Sequence, residues 1–269
     1  MKNLFTTLIF ILIISYTNAQ IDIVHPPNWW IGFENQTLQI LVKGEKISQY
    51  NVSVDYPGVN LKQVHKADSE NYLFVDLNIS NLSEPGIFKL KFKSANRELE
   101  YNYKLDNKRN LNEQNNGFDS SDVIYLITPD RFANGDYSND IIKGLKEDRI
   151  NRDDNYARHG GDLQGITNNI DYLKDMGFTS LWLNPVLIND MKEGSYHGYA
   201  TTDYYTVDPR LGTMEDYLNL STIAEKNNIK LIKDIIVNHC GLYHWWMDDL
   251  PFDDWLNFQE IYLNSTDDT

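Results

Sequence analysis

The chain has 269 residues, a formal net charge of −15 at pH 7 and a single cysteine, Cys240. Such an acidic chain repels phosphate groups, which excludes nucleic acid and anionic membrane surfaces as expected partners. One cysteine excludes an internal disulfide and leaves either a small buried residue, a free thiol or an intermolecular pairing. The length allows two domains, or one domain and part of a second.

Residues 1–19 have the pattern of a secretory signal peptide. Lys2 supplies a positive charge, an apolar run follows it, and Thr17, Asn18 and Ala19 surround a cleavage point after Ala19. The apolar run is too short to span a bilayer comfortably, although an uncleaved anchor remains an alternative. We therefore predict an exported protein, periplasmic or extracellular, with no membrane association after cleavage.

Residues 20–105 have the pattern of a β-sandwich domain. Apolar and charged residues alternate in GIFKLKFK and in RELEYNYKL, and this period of two indicates strands with one buried face. Further short strands are predicted at TLQILV, YNVSV and NYLFVDL, separated by Gly, Pro, Asn and Asp. Several short strands over this length favour a small sandwich. The polar, Asn-rich residues 106–122 are predicted to form a linker.

From residue 123 the pattern changes to alternating strands and helices. Strands are predicted at VIYLIT, TSLWLNPV and IKLIKDIIVNH, and helices at DLQGITNNIDYLKDMG and TMEDYLNLSTIAEKNN. Gly177 is expected to end the first helix and Thr213 to cap the second. The order strand–helix–strand–helix–strand predicts parallel strands with right-handed crossovers.

The loop after the first of these strands is rich in oxygen ligands. Asn134, Asp136, Asn139 and Asp140 place four side-chain oxygens in seven positions, and HGGD adds Asp162 downstream. Calcium takes about 6–8 oxygen ligands, and such loops supply them. An Asx-rich turn without an ion explains the same composition, and spacing alone does not separate the two.

The loop SYHGYATTDYYTVDPRLG is rich in aromatic residues. A sugar ring is held best by an aromatic plane with polar groups beside it, and Tyr196, His197, Tyr199 and Asp203 supply both types. The alternative is that the tyrosines pack the rim of the domain and that Asp203 caps a turn. Composition alone favours this alternative.

The third strand is predicted to be buried and to end in polar residues. Asp234 lies within IKLIKDIIVNH and is expected to organise loops, whereas His239 lies at the carboxyl end. A buried carboxylate needs a partner, because leaving it isolated is costly. Tryptophans follow at positions 245, 246 and 255, and core packing is expected for at least two of them. The same expectation applies to Trp29 and Trp30.

Taken in order, YLITPDRFANGDYSND, YHGYATTDYYTVDPRLGT and DIIVNH resemble the α-amylase family, glycoside hydrolase family thirteen, and its neopullulanase and cyclomaltodextrinase branch in particular. The resemblance implies a β-sandwich N-terminal domain followed by an incomplete α/β (TIM-type) barrel, with the first three βα units only, at residues 123–239. Residues 240–269 then begin a domain inserted after the third strand. The implied reaction is retaining cleavage of α-glucosidic bonds in maltodextrins, cyclodextrins or pullulan.

The resemblance also assigns roles to residues of this chain. Tyr199 stacks on the sugar at the cleavage point, His197 lines the same pocket, and His239 hydrogen-bonds the same sugar. A structural calcium ion is implied, with the ligands Asn134, Asp136, Asn139, Asp140, Gly160 (through its backbone oxygen) and Asp162. Asp234 and Asn238 match a signature region whose role is mainly architectural.

No catalytic residue can be assigned in this chain. Retaining hydrolysis needs two carboxylates about 5–5.5 Å apart, and the family places its nucleophile, acid and a further aspartate on the fourth, fifth and seventh strands. We therefore expect the full-length parent to be the enzyme and this chain alone to be inactive. The alternatives are a non-catalytic, exported carbohydrate-binding protein and a chain that is only a gene-model or assembly artefact. α-Glucan oligosaccharides are the expected partners, and a homodimer of the parent is left open.

Overall fold

The chain divides into two compact units, residues 1–107 and residues 108–269. The computed structural model describes residues 20–108 and 117–257. The predicted signal peptide, most of the predicted linker and residues 258–269 therefore lie outside the described residues. Within the described ranges, no helix combines the length and the apolar character that crossing a membrane requires.

The first unit consists of two four-stranded sheets. Its strands are β1 (Ile21–His25), β2 (Asn28–Ile31), β3 (Thr37–Gly44), β4 (Asn51–Val54), β5 (Val59–Lys66), β6 (Tyr72–Ile79), β7 (Gly86–Lys93) and β8 (Glu98–Asn107). One sheet has the order β1-β3-β6-β5 and the other the order β2-β8-β7-β4. A short 3-10 turn, Ile47–Gln49, follows β3.

Alternation along the strands builds the core between these sheets. On β7, Phe88, Leu90 and Phe92 are buried, whereas Lys89 and Lys93 are exposed. Buried residues of both sheets form one continuous apolar cluster, as expected for two sheets packed face to face. The predicted β-sandwich is confirmed.

Three strands of the sandwich were not predicted, namely β1, β2 and β5. The polar residues in VNLKQVHK obscure the alternation of β5, and β2 is a four-residue strand that pairs in parallel with β8. Trp29 packs partly buried against the core, but Trp30 is 39% exposed, so its predicted core position is wrong. β8 continues through Asp106 and Asn107, which the sequence had assigned to the linker.

The second unit contains a three-stranded parallel sheet with the order β13-β10-β9. Its elements are β9 (Ile124–Ile127), α1 (Pro129–Phe132), α2 (Leu163–Asn168), α3 (Ile170–Asp175), β10 (Ser180–Leu183), β11 (Leu187–Ile188), β12 (Asp203–Val207), α4 (Met214–Lys226) and β13 (Lys230–Lys233). Two 3-10 turns, Ser195–His197 and Trp245–Asp248, complete it. This parallel sheet with intervening helices is the predicted beginning of an α/β barrel.

The predicted helices cover one face of this sheet. The expected apolar residues are buried and belong to one cluster with the strands: Leu163, Ile166, Ile170 and Leu173. The first helix is divided at Asn169, whose Nδ2 donates to the Gly165 carbonyl at 2.7 Å, because an Asn side chain competes for helical backbone groups. Thr213 caps α4 in a reciprocal capping box with Asp216.

The third parallel strand is shorter and less buried than predicted. β13 ends at Lys233, and Ile235 and Val237 beyond it are 55% and 88% exposed. Among the described residues β13 pairs with β10 alone, so its other edge is unpaired. The prediction of a buried strand reaching His239 is therefore wrong from Asp234 onward.

Candidate functional site

The candidate site lies at the carboxyl ends of β10 and β13. The segment that carries it, residues 194–199, is called the aromatic turn. Gly198 has a φ of 81°, and a Cβ built on it would lie 2.1 Å from the Pro185 carbonyl oxygen, just beyond the end of β10. Only glycine permits this approach at a positive φ. The turn is thereby held against the edge of the sheet at which parallel strands present their loops.

The three predicted sugar-binding residues meet at this turn. The Tyr199 N–H donates to His197 Nδ1 at 2.9 Å, and the two rings stack with centroids 5.8 Å apart and planes 25° apart. His239 Nε2 lies 3.1 Å from the Tyr199 carbonyl oxygen, although His239 is otherwise exposed. His197, Tyr199 and His239 therefore form one continuous surface, and their roles toward a sugar stay predictions.

Asp234 anchors this surface to the sheet. Its Oδ2 accepts hydrogen bonds from the Tyr199 hydroxyl at 3.0 Å and from Trp182 Nε1 at 3.2 Å. Burial, followed by the hydrogen bond to Asp234, raises the pKa of the Tyr199 phenol above its ordinary value. The phenol therefore stays protonated and donates a hydrogen bond to Asp234. This contact agrees with the prediction that Asp234 organises loops.

His197 is held in its neutral form. Burial lowers its pKa below the ordinary value of 6.5, against an opposing effect of the Glu147 carboxylate. Nδ1 accepts the hydrogen bond from Tyr199, so the hydrogen-bond network assigns the ring proton to Nε2. A neutral ring with an N–H at its far edge can stack on an apolar surface and donate to a hydroxyl.

Two supporting residues were missed in the sequence. Glu147 is buried, and its Oε2 accepts from both the N–H (2.8 Å) and the hydroxyl (2.5 Å) of Ser195, the first residue of the 3-10 turn. The Arg131 guanidinium lies 3.8 Å from the centroid of the Tyr196 ring. Both sit in polar segments without periodicity, so no sequence signal distinguished them from surface charges.

The second cluster is the cation loop, defined as residues 133–140 together with the facing Gly160. Asn134 Nδ2 donates to Asp140 Oδ1 at 2.7 Å. The Oδ1 atoms of Asn134 and Asn139 are buried and have no hydrogen-bond partner among the described residues. Gly160 has a φ of 84°, and a Cβ there would lie 2.8 Å from Asp140 Oδ1. Two buried, unpaired oxygens thus lie in the loop for which calcium ligands were predicted.

The remaining predicted ligands already hold the loop in shape. Asp162 is fully buried and accepts from the N–H groups of Gly135, Asp136 and Gly165, the last as the cap of α2. Asp136 is exposed, and its Oδ1 accepts from the N–H and hydroxyl of Ser138, which lowers its pKa. Within residues 20–108 and 117–257, no three His, Cys, Asp or Glu side chains form a cluster that could hold a metal. The predicted set of calcium ligands therefore depends on the side-chain oxygens of Asn residues and on backbone oxygens.

The tryptophans near the end of the described chain pack against one another. The ring centroids of Trp245 and Trp246 lie 5.0 and 4.2 Å from that of the buried His244. Trp255 is 36% exposed, with its centroid 4.8 Å from that of Trp246. Trp245 and Trp246 are half-buried and belong to neither buried apolar cluster of the described residues, so the predicted core packing is not confirmed for them. Cys240 is half-buried, and burial raises the pKa of its thiol, which disfavours the reactive thiolate.

The two units match two described protein families. Residues 23–110 match the family described as "Cyclomaltodextrinase, N-terminal", and residues 126–256 match "Alpha amylase, catalytic domain". The chain is 47% identical over 122 residues to a beta/alpha-amylase of Paenibacillus polymyxa, covering 45% of this chain and 10% of that protein. It is 38% identical over 145 residues to a cyclomaltodextrinase of Thermoanaerobacter pseudethanolicus, covering 51% and 24%.

The chain thus spans a quarter or less of the length of these two curated relatives. Among solved structures, the α-amylase of Anoxybacillus is 43% identical over 48% of this chain and 26% of that protein, with a TM-score of 0.43.

We predict that His197 titrates below pH 6.5 in the folded chain. Because burial lowers its pKa, the unfolded chain takes up the proton first as the pH falls. The contribution of His197 to stability is therefore complete above about pH 6.5 and is lost as the pH falls toward the folded midpoint. NMR titration of the imidazole Cε1–H measures the midpoint, and a His197→Asn variant assigns the signal. A midpoint above 6.5 would contradict the neutral, accepting ring.

Proposed function

We propose that this chain belongs to the α-amylase family and that the whole protein is a retaining glycosidase acting on α-glucosidic bonds. Its substrates in this proposal are maltodextrin-, cyclodextrin- or pullulan-type glucans. The family match over both units supports the reaction class, and the name of the cyclomaltodextrinase relative supports the substrate class.

The observation that carries the proposal is the meeting of His197, Tyr199 and His239 at the carboxyl edge of the parallel sheet. Sugar recognition needs an aromatic plane for the C–H face and nearby donors for the hydroxyl rim. The stacked rings of His197 and Tyr199 supply the plane, and the Nε2–H of His197 supplies a donor, whereas Nε2 of His239 already contacts the Tyr199 carbonyl oxygen. We assign these residues to one wall of a glucan-binding pocket.

We place the catalytic carboxylates outside these 269 residues. The reaction needs a nucleophile and an acid about 5–5.5 Å apart. Asp234 is the carboxylate hydrogen-bonded to Tyr199, and its Oδ2 is already occupied by the Tyr199 hydroxyl and Trp182 Nε1. A carboxylate held in this way positions its neighbours, which supports an organising role for Asp234. The chain alone then lacks the acid–base pair, whereas the whole protein has it.

We further propose that the cation loop holds a structural calcium ion. In this proposal Asn134, Asn139, Asp140 and the Gly160 carbonyl are the ligands, whereas Asp136 and Asp162, the other two residues of the predicted set, accept backbone N–H groups and shape the loop. The buried, unpaired oxygens of Asn134 and Asn139 support this proposal, because a buried polar atom without a partner is costly and a hard cation would satisfy both. When bound, the ion supplies positive charge that fixes the loop after β9.

We propose that the protein is exported. Residues 1–19 have the order of charge, apolar run and small residues that a signal peptidase recognises, and the acidic mature chain favours solubility. We expect mass spectrometry of the exported protein to give Gln20 as its first residue, and a product that retains Met1 would contradict the proposal.

The catalytic proposal predicts no release of reducing sugar from maltoheptaose or β-cyclodextrin by the purified 269-residue chain. Little heat is expected on titration of the chain with maltoheptaose, because one wall alone cannot desolvate the sugar. The reading frame beyond Thr269 is expected to encode a Gly-x-Arg-x-Asp segment. Turnover by this chain would contradict the placement of the carboxylates, and tight binding without turnover would favour an exported carbohydrate-binding protein.

The calcium proposal predicts that Asp140→Asn weakens calcium binding by at least about tenfold, because affinity follows the number of ligand charges. Calorimetric titration with CaCl2 measures the loss. Asp153→Asn is the matched control, since it removes the same charge from an exposed side chain outside the loop. Equal affinities of the two variants, or no calcium binding by the wild-type chain, would contradict the assignment.

A further inference from the structure

Two fully buried arginines lie between the cation loop and the aromatic turn. Arg158 and Arg210 are each 1% exposed. Burying a guanidinium is costly unless carboxylates and carbonyls satisfy its charge and its donors. The contacts of these two side chains therefore show which chain segments the buried charges hold in place.

Arg158 holds the cation loop. Its Nη1 donates to the Asp140 carbonyl at 2.7 Å, and its Nε lies 3.7 Å from Asp130 Oδ1. The same Oδ1 accepts the Gly160 N–H at 3.1 Å. Arg158 and Asp130 thus fix both Asp140 and Gly160. On its other side, Arg158 Nη2 donates to the Arg210 carbonyl at 3.4 Å.

Arg210 holds the base of the loop that contains the aromatic turn. Its Nε and Nη2 donate to the two carboxylate oxygens of Asp208 at 2.9 and 2.7 Å. The same Nη2 donates to the Asn189 carbonyl at 2.8 Å, and Nη1 donates to the Glu147 carbonyl at 3.4 Å. One rigid guanidinium therefore fixes three chain segments.

Asn189 and Glu147 then hold the aromatic turn itself. Asn189 Nδ2 donates to the Ser195 carbonyl at 3.1 Å. Glu147 Oε2 accepts from both the N–H and the hydroxyl of Ser195. Ser195 opens the 3-10 turn that carries His197. Each step from Asp140 to Ser195 is a direct contact between named groups.

We propose that Arg158 and Arg210 are positioning residues that couple cation binding in the cation loop to the order of the aromatic turn. The inference rests on the proposed calcium site and on the proposed glucan-binding role of the turn. A planar guanidinium with several fixed donors transmits a displacement that a flexible lysine would absorb. The coupling is reciprocal, so a ligand on the turn strengthens cation binding by the same factor.

Hydrogen–deuterium exchange of the chain in CaCl2 and in EGTA tests the coupling without any activity measurement. In the wild-type chain we expect calcium to slow exchange in residues 133–140 and in residues 194–199, each by at least about fivefold. In Arg210→Lys at saturating calcium, residues 133–140 keep their protection and residues 194–199 lose it. A merely structural role would instead speed exchange across the unit, including α4, with and without calcium.

Ser195→Ala provides a second, milder variant in case Arg210→Lys does not fold. It removes one of the two hydrogen bonds to Glu147 and is expected to reduce the calcium effect on residues 194–199 while α4 exchanges as in the wild-type chain. The coupling is overturned if calcium protects residues 133–140 without affecting residues 194–199 in the wild-type chain. The coupling is also overturned if calcium slows hydrogen exchange in residues 194–199 of both variants as much as in the wild-type chain.

No protection of residues 133–140 by calcium would overturn the calcium site and the coupling together. Glucan turnover is not part of this readout, so none of these results decides the glycosidase proposal.

Discussion

The parallel alignment of β9, β10 and β13 is the constraint on which the candidate site depends. Parallel strands present their carboxyl ends at one edge, so the segments that follow them meet there although they are far apart in sequence. Trp182 in β10 and Asp234 just beyond β13 are joined by a hydrogen bond across this edge, and Tyr199 binds the same carboxylate. The position of the aromatic turn is thus fixed by the sheet.

Buried charged side chains also hold the loops of the second unit in place. Burial alone raises the pKa of Asp208, but the hydrogen bonds and charge of Arg210 outweigh that effect and lower it below the ordinary value. For Arg158, burial and then the charge of Arg210 lower the pKa, and Asp130 is the first of the carboxylates that oppose them. Removing one member would leave another charge buried and unpaired. The network therefore keeps its members in one arrangement.

Local patterns in the sequence predicted much of the fold. The alternation in GIFKLKFK, the helical spacing of Leu163 and Ile166, and the capping residue Thr213 all act within a few residues, and all three expectations are confirmed. The order of strands and helices also predicted that the loops would share one edge. Tyr199 and His239 accordingly lie within hydrogen-bonding distance.

Features that depend on distant partners were not predictable in this way. Arg158 and Arg210 look like surface residues in the sequence, because their burial depends on Asp130 and Glu147 in other segments. The parallel pairing of β2 with β8 joins opposite ends of the first unit. Ile235 and Val237 read as a buried strand, but their exposure depends on neighbouring elements. Apolar pattern alone does not report these neighbours.

The central claim is that the aromatic turn and His239 form one wall of a glucan pocket. A crystal structure of the whole protein with a bound maltooligosaccharide tests it most directly. The account predicts a glucose ring stacked on the Tyr199 ring, with His197 and His239 within about 3 Å of its hydroxyl oxygens, as hydrogen bonds require. A sugar bound elsewhere in the protein, with Tyr199 still open to solvent, would contradict it.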